Sequence, residues 1–289
     1  MTTDRFREIK RILLQILLLN WAVAGAKIGY GLMTNFTSMT ADGFHSLSDG
    51  GSNILGLIGI TIACWPADND HPYGHRKYET LFSLGIAAVL FYLCFNLISE
   101  GIRHMRSPHH PQIDIVTLLV MVLTTFVNIL VMKYEHKEGK RLKSDILISD
   151  AMHTKADVFT SFSVIVAMAG VKLGLPIVDP IVTIVISLFI ARLAISIIRQ
   201  GSSILCDTAA ILDNKKIIDI VLTIDGVNTC HKIRTRGRED DIYVDMHVQV
   251  NPDMRVDRAH RISYEIEDAI KKGIPGVTDV VVHIEPKEK

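Results

Sequence analysis

Two short stretches carry the same pattern of side chains able to bind a metal ion. "DGFHSLSD" runs from Asp42 to Asp49 and "DAMHTKAD" from Asp150 to Asp157, each reading Asp-x-x-His-x-x-x-Asp. On a helix turning about 100° per residue, the three polar groups of each motif fall within about 60°, on one stripe. Two such helices face to face offer two imidazole nitrogens and two carboxylate oxygens. His45, Asp49, His153 and Asp157 are then a four-ligand set suited to tetrahedral Zn²⁺, with Cd²⁺, Fe²⁺ or Co²⁺ as alternatives. Hard octahedral ions such as Mg²⁺ prefer an all-oxygen, partly hydrated shell. Asp42 and Asp150, three residues before the histidines, either orient the rings or face water at the helix entrance. A single motif could equally be a buried polar network that pins helix packing; two matching motifs favour a shared site.

The elements that must position these groups are long and apolar. The chain has 289 residues, 48% of them hydrophobic, and no formal net charge, so nothing in its overall charge favours nucleic acid. A bilayer core about 30 Å thick needs roughly 20 apolar residues per spanning helix. Six runs meet that length, near 12–33, 37–65, 80–102, 113–133, 146–173 and 177–199, and the second and fifth contain the motifs. Helices apolar on nearly every face predict a membrane bundle over 1–206. Ionisable groups at that depth cost about 2.5–3.5 kcal/mol each on insertion scales, so they mark a partner, a cavity or an ion. Arg5, Arg7, Lys10 and Arg11, the pair Arg76 and Lys77, and the cluster Lys133, Lys137, Lys140, Arg141 and Lys143 all fall on one side, which puts both termini in the cytosol.

Ligation requires neutral histidine and ionised aspartate, so metal and protons compete for the site. A site open alternately to each side then exchanges one for the other without a nucleotide. The chain has no G-x-x-x-x-G-K-[ST] loop, no G-x-S-x-G elbow and no H-E-x-x-H helix, so neither an ATP-driven pump nor an enzyme of those kinds is expected, and no organic cofactor.

Two further clusters lie outside the apolar runs. In "WPADNDHPYGHRKYE", Asp68, His71 and His75 stand close together on a turn, with Asp70 as a further candidate. The segment 207–289 is mixed and mildly acidic. Its pattern predicts α-β-β-α-β, a small α+β cytosolic domain with helices on one face of a sheet. It holds His231, His247, His260 and His283, with Glu285 two residues past the last and thus on the same strand face.

Together these residues resemble the cation diffusion facilitator family across essentially the whole chain, and most of all the layout of its YiiP-type bacterial zinc/proton antiporters. The resemblance implies a transport site formed by His45, Asp49, His153 and Asp157 between the second and fifth helices. His45 stands where YiiP-type members have Asp, as in other zinc-transporting branches. It implies a loop site at Asp68, His71 and His75. It implies a binuclear site at His231, His247, His260, His283 and Glu285 in a metallochaperone-like tail, where YiiP-type members have Asp at the last position. It also implies a homodimer anchored by an ion pair between Lys77 and Asp207, and it disfavours Mn²⁺, since manganese-type members usually lack this His/Asp set. The expected protein is a proton-coupled exporter of Zn²⁺ in a bacterial inner membrane. The alternatives are a carrier of Fe²⁺, Mn²⁺ or Cd²⁺, or a membrane metal sensor that does not transport.

Overall fold

The computed structural model describes residues 2–33, 37–106, 115–172, 177–211 and 213–287. Within its helices some side chains lie outside the description, among them those of Asp42, His45 and Asp49. The chain divides into two compact units, Met1–Gly201 and Ser202–Lys289.

Among the described residues, the first unit holds six long helices: α1 (Thr2–Met33), α2 (Thr37–Ala63), α3 (Lys77–Arg106), α4 (Ile115–Arg141), α5 (Asp145–Lys172) and α6 (Val178–Leu205). Several outrun the apolar stretches that announce them. Helix α1 begins ten residues early because the charged segment around "DRFREIKR" keeps an apolar stripe. Phe6, Ile9, Leu13 and Ile16 recur every three or four residues and are all buried. They pack with Ile60, Val131, Ile146 and Leu147, joining α1, α2, α4 and α5 in one core. A second core joins Leu90 and Cys94 of α3, Ala156 of α5 and Ile190 and Ala194 of α6. Much of the outer surface is apolar: Phe95 is 69% exposed, Leu123 64% and Leu188 61%. Water would penalise such a belt, whereas lipid tails would not. Among the described residues, Asp4–Gly29, Lys77–Arg103 and Pro180–Leu205 are each long and apolar enough to cross a bilayer by length and composition.

Helix α4 ends in a left-handed residue, Lys143 (φ 48°), and Ser144 N–H donates back to Gly139 O at 2.8 Å. This five-residue return is the usual way a helix satisfies its last carbonyls. It leads into α5 almost at once. A Cβ on Gly139 would come within 2.9 Å of Ile148 Cγ1, so only glycine lets the two helices close this tightly. At the same end, the Arg5 guanidinium donates to Leu142 O (2.7 Å), Lys143 O (2.9 Å) and the fully buried Glu79 carboxylate (3.1 Å). One side chain thereby ties the starts of α1 and α3 to the α4–α5 turn.

The second unit has the expected order: α7 (Lys215–Val221), β1 (Val227–Arg238), β2 (Asp241–Val250), α8 (Val256–Gly273) and β3 (Val277–Pro286). The sheet runs β1-β2-β3, with β1 antiparallel and β3 parallel to β2. Strand β2 alternates strictly. Ile242, Val244, Met246, Val248 and Val250 are buried against α8, which presents Ile262, Ile266 and Ile270 at four-residue spacing. The intervening residues, His247 among them, face the other side. Gly237 (φ 106°) closes the β1–β2 turn, where a Cβ would lie 2.2 Å from Asp241 O.

The α8 stripe covers that sheet face together with Ile217 and Val221 of α7. Replacing the fully buried Ile266 by Ala is expected to destabilise this unit by about 2–5 kcal/mol. The readout is the urea midpoint of the unit's transition in the purified full chain; an unchanged midpoint would contradict the packing described.

Candidate metal centres

Helix α5 presents His153 and Asp157 one turn apart, as its motif requires. His153 is 5% exposed, and neither ring nitrogen has a hydrogen-bond partner. Its Nε2 lies 4.0 Å from Asp157 Oδ2, a gap that one ion with donor bonds of about 2 Å can bridge. Both residues line a cavity of about 40 Å³, enough for an ion or a water molecule. The cavity walls come from four helices. Asn20 and Lys27 belong to α1, Ser46 and Asn53 to α2, Asn128 to α4, and Thr154 to α5 beside the two ligands. His45 and Asp49 lie on α2, but their side chains, like that of Asp42, are outside the described residues.

Asp150 takes neither of the two places open to it. It is 1% exposed, so it does not face water, and it makes no hydrogen bond to the His153 ring. Instead its Oδ2 accepts from Asn53 Nδ2, and Asn53 Oδ1 accepts from Asn20 Nδ2 at 3.1 Å. Thr154 Oγ1 donates to the fully buried Glu135 at 3.0 Å. Asp150 therefore joins α5 to α2 and α1 behind the cavity wall.

These supporting residues carried no weight in the sequence. Asn20, Asn53 and Lys27 are single polar residues in apolar runs, and Glu135 sits at the start of a charged loop. Spacing alone could have raised three of them. Asn20 and Lys27 are seven apart, two turns of one helix face, and Asn53 lies four residues past Asp49.

Asp68, His71 and His75 come together as expected, with one donor atom from each within 4.8 Å of the others. Asp68 Oδ1 accepts from the backbone N–H of His71 (2.7 Å) and of Asp70 (3.1 Å). The His71 N–H is the main reason the Asp68 carboxyl is held below its ordinary range. His75 Nδ1 lies 3.0 Å from Pro66 O. A carbonyl only accepts, so Nδ1 carries the hydrogen, and Nε2 lies 3.4 Å from Asp68 Oδ2. Asp70 contributes a backbone N–H to this turn.

In the second unit, strand register does the assembly. His231 pairs with His247, and His247 with His283, so three histidines form one row across all three strands. Glu285 reaches into the row. Its Oε1 accepts from His247 Nδ1, its Oε2 is 3.3 Å from His231 Nε2, and His283 Nε2 is 3.7 Å from Oε1. This nitrogen-rich set fits a transition-metal ion of the zinc type. His260 belongs to the other layer: it stands on α8, edge-on to Tyr264, beside a cleft bordered by Val250 and Ile284. Within one chain the sheet lies between it and the row. Lys77 begins α3 in one unit. Asp207, left-handed at φ 55°, follows α6 in the other, with its Oδ2 4.0 Å from Arg236 Nη1.

The sequence of residues 13–206 matches the cation efflux transmembrane domain, and that of 212–287 matches the cytoplasmic domain of cation efflux proteins. The chain belongs to the cation diffusion facilitator family. Relatives within it include an uncharacterized transporter of Methanocaldococcus jannaschii, 29% identical over 96% of this chain and 99% of its own. The cation-efflux pump FieF of Cronobacter sakazakii is 26% identical over 99% and 95%. The manganese efflux system protein MneS of Bacillus subtilis is 26% identical over 92% of each. A solved structure of the MamM CTD is 28% identical over 26% of this chain and 93% of its own, with a TM-score of 0.25. As a cation diffusion facilitator, the chain is a membrane transporter that exports metal cations, not a soluble metal binder.

The His247 hydrogen bond, opposed by partial desolvation, holds the Glu285 carboxyl below its usual value. A carboxyl depressed in the fold stabilises it above the unfolded value, about 4.3, and that contribution is lost as pH falls through the folded value. Metal affinity at the row also falls with pH, because ligation needs unprotonated imidazole and protons compete with the metal. Zinc titration of the purified chain is expected to weaken about tenfold or more from pH 7.5 to 5.5, and His247→Ala to lose the ion bound at the row. Unchanged stoichiometry in that variant would remove the row as a site.

Proposed function

We propose that this protein is a homodimeric, proton-coupled exporter of Zn²⁺. The cargo binds between α2 and α5 at His45, Asp49, His153 and Asp157, and the site opens by turns to the cytosol and to the far side. The observation that supports this most is the state of His153. A buried imidazole with neither nitrogen bonded costs free energy, and here it faces a small cavity beside an aspartate. An ion coordinated by both would remove that cost.

The proton follows from the same chemistry. Metal leaves when the histidines and aspartates are protonated, and binds when they are not. Moving a divalent cation out against protons moving in needs no nucleotide. The loop trio and the histidine row, on the cytosolic side with both termini, would respond to cytosolic metal by favouring one arrangement of the dimer. The segment 207–289 then serves metal binding and dimerisation, with Lys77 and Asp207 as the ion pair between loop and tail, in a bacterial inner membrane.

A second cargo has its own support. Two Bacillus subtilis relatives, one 26% and one 25% identical, are named manganese efflux system proteins. The cavity wall is also rich in oxygen donors from Asn20, Ser46, Asn128 and Thr154, which suit harder ions. Zinc remains the first choice because imidazole favours it.

Zinc flux into proteoliposomes under an imposed pH gradient tests the reading. Wild type is expected to show gradient-driven uptake and Asp157→Ala to lose it at least a hundredfold, as for a lost ligand group. Normal flux in that variant sinks the site assignment, and faster Mn²⁺ than Zn²⁺ transport by wild type reassigns the cargo.

A further inference from the structure

Lys27 is an ammonium inside a cation transporter. It lies in the apolar part of α1, six residues before the helix end. A lysine there can usually run its stem to the headgroups. This one does not: it is 8% exposed, and its Nζ donates to Ser46 Oγ at 2.9 Å, on the α2 stretch next to His45. It lines the same small cavity as His153 and Asp157. Asp157 is the one carboxylate on that wall among the described residues. A fixed positive charge and a cargo ligand thus share about 40 Å³ of buried space.

We infer that Lys27 is a resident counter-cation of the transport cavity, balancing cargo-site carboxylate charge when no metal is bound and repelling the metal when it is. The inference rests on the site proposed above and adds a charge account to it. Two aspartates and a divalent ion sum to zero. Without the ion they leave two negative charges at membrane depth, which is costly. Lys27 supplies one positive charge from the chain itself, so the metal-free site carries one negative charge instead of two and the loaded site one positive charge instead of none. The same charge holds affinity down, because a buried ammonium beside the site opposes every incoming cation with little screening. For an exporter that must release its cargo, moderate affinity is useful. Lys27 is a tuning residue and not a ligand, since a protonated amine has no lone pair to offer.

The test separates charge from hydrogen bonding. Zinc flux is measured against zinc concentration in proteoliposomes for wild type, Lys27→Gln, Lys27→Met, Lys27→Arg and Ser46→Ala. Glutamine keeps a donor for Ser46 without the charge, and methionine keeps only the bulk. Both neutral variants are expected to lower KM about tenfold and to lower the maximal rate as release slows. Lys27→Arg keeps the charge and stays within about threefold of wild-type KM. Ser46→Ala removes the bond but keeps the charge, and does not lower KM. A KM that rises or stays fixed in the neutral variants, or an equal fall in Ser46→Ala, overturns the inference. Asp157→Ala run alongside distinguishes the failures. If it still transports, the site is misassigned; if it does not and Lys27→Gln has wild-type KM, only the role of Lys27 falls.

Discussion

A carboxylate or imidazole among apolar helices has lost its water and must be given something in exchange. The membrane unit is organised by that debt. Asp150 is met by Asn53, Asn53 by Asn20, Glu135 by Thr154, and Lys27 by Ser46. These bonds run between helices, so satisfying the polar groups also sets which helices touch and at what height. His153 is the exception, buried and unbonded at both nitrogens. Glu135 and Asp150 each keep one oxygen unbonded as well, but His153 makes no side-chain hydrogen bond at all and stands beside an aspartate, a pairing that a cation would satisfy.

The end of the bundle at the α4–α5 turn is secured differently. There Arg5, Glu79 and the α4–α5 turn form a compact charged clasp in which the guanidinium serves three acceptors at once. A forked donor fits this geometry better than a point charge would. The lone imidazole and the clasp differ in kind: His153 is unbonded beside the cavity, while the Arg5 guanidinium holds α1, α3 and the α4–α5 turn together. In the second unit the same economy appears on a flat surface. One face of β2 is buried under α8, and the other is free to carry chemistry, because alternation sends every second side chain outward.

Most of the architecture was legible because it follows from periodicity. Six apolar runs became six helices, the tail order α-β-β-α-β was met element by element, and the i, i+4 spacing placed His153 and Asp157 as read. Helix ends were less legible. Hydropathy marks where a chain can enter lipid, whereas α1 and α4 continue on amphipathic turns that a hydropathy threshold ignores. In the tail, the joint placement of His283 and Glu285 followed from strand alternation. The three-histidine row did not, since it depends on the register of β3 against β2 across an intervening helix. Position alone could not separate His260 from that row within one chain, because only the fold tells which side of a sheet a helix covers. Asn20, Lys27 and Asn53 were hidden for a simpler reason: one polar residue barely moves a hydropathy average.

The joint between α4 and α5 bears on how the bundle can move. Gly139 lets the two helices meet closely, the Ser144 to Gly139 bond locks the bend, and α5 packs far more extensively on α4 than on α2. Mechanically, α4 and α5 are one stiff arm. Any stroke that turns this arm carries His153 and Asp157 together and leaves their spacing intact. What would vary is the gap to α2, the helix that carries His45 and Asp49, the other half of the proposed site. At the proposed site, grip would then be set by the opening of that gap. A small rotation of the arm can release an ion without breaking a single bond inside the hairpin that holds it.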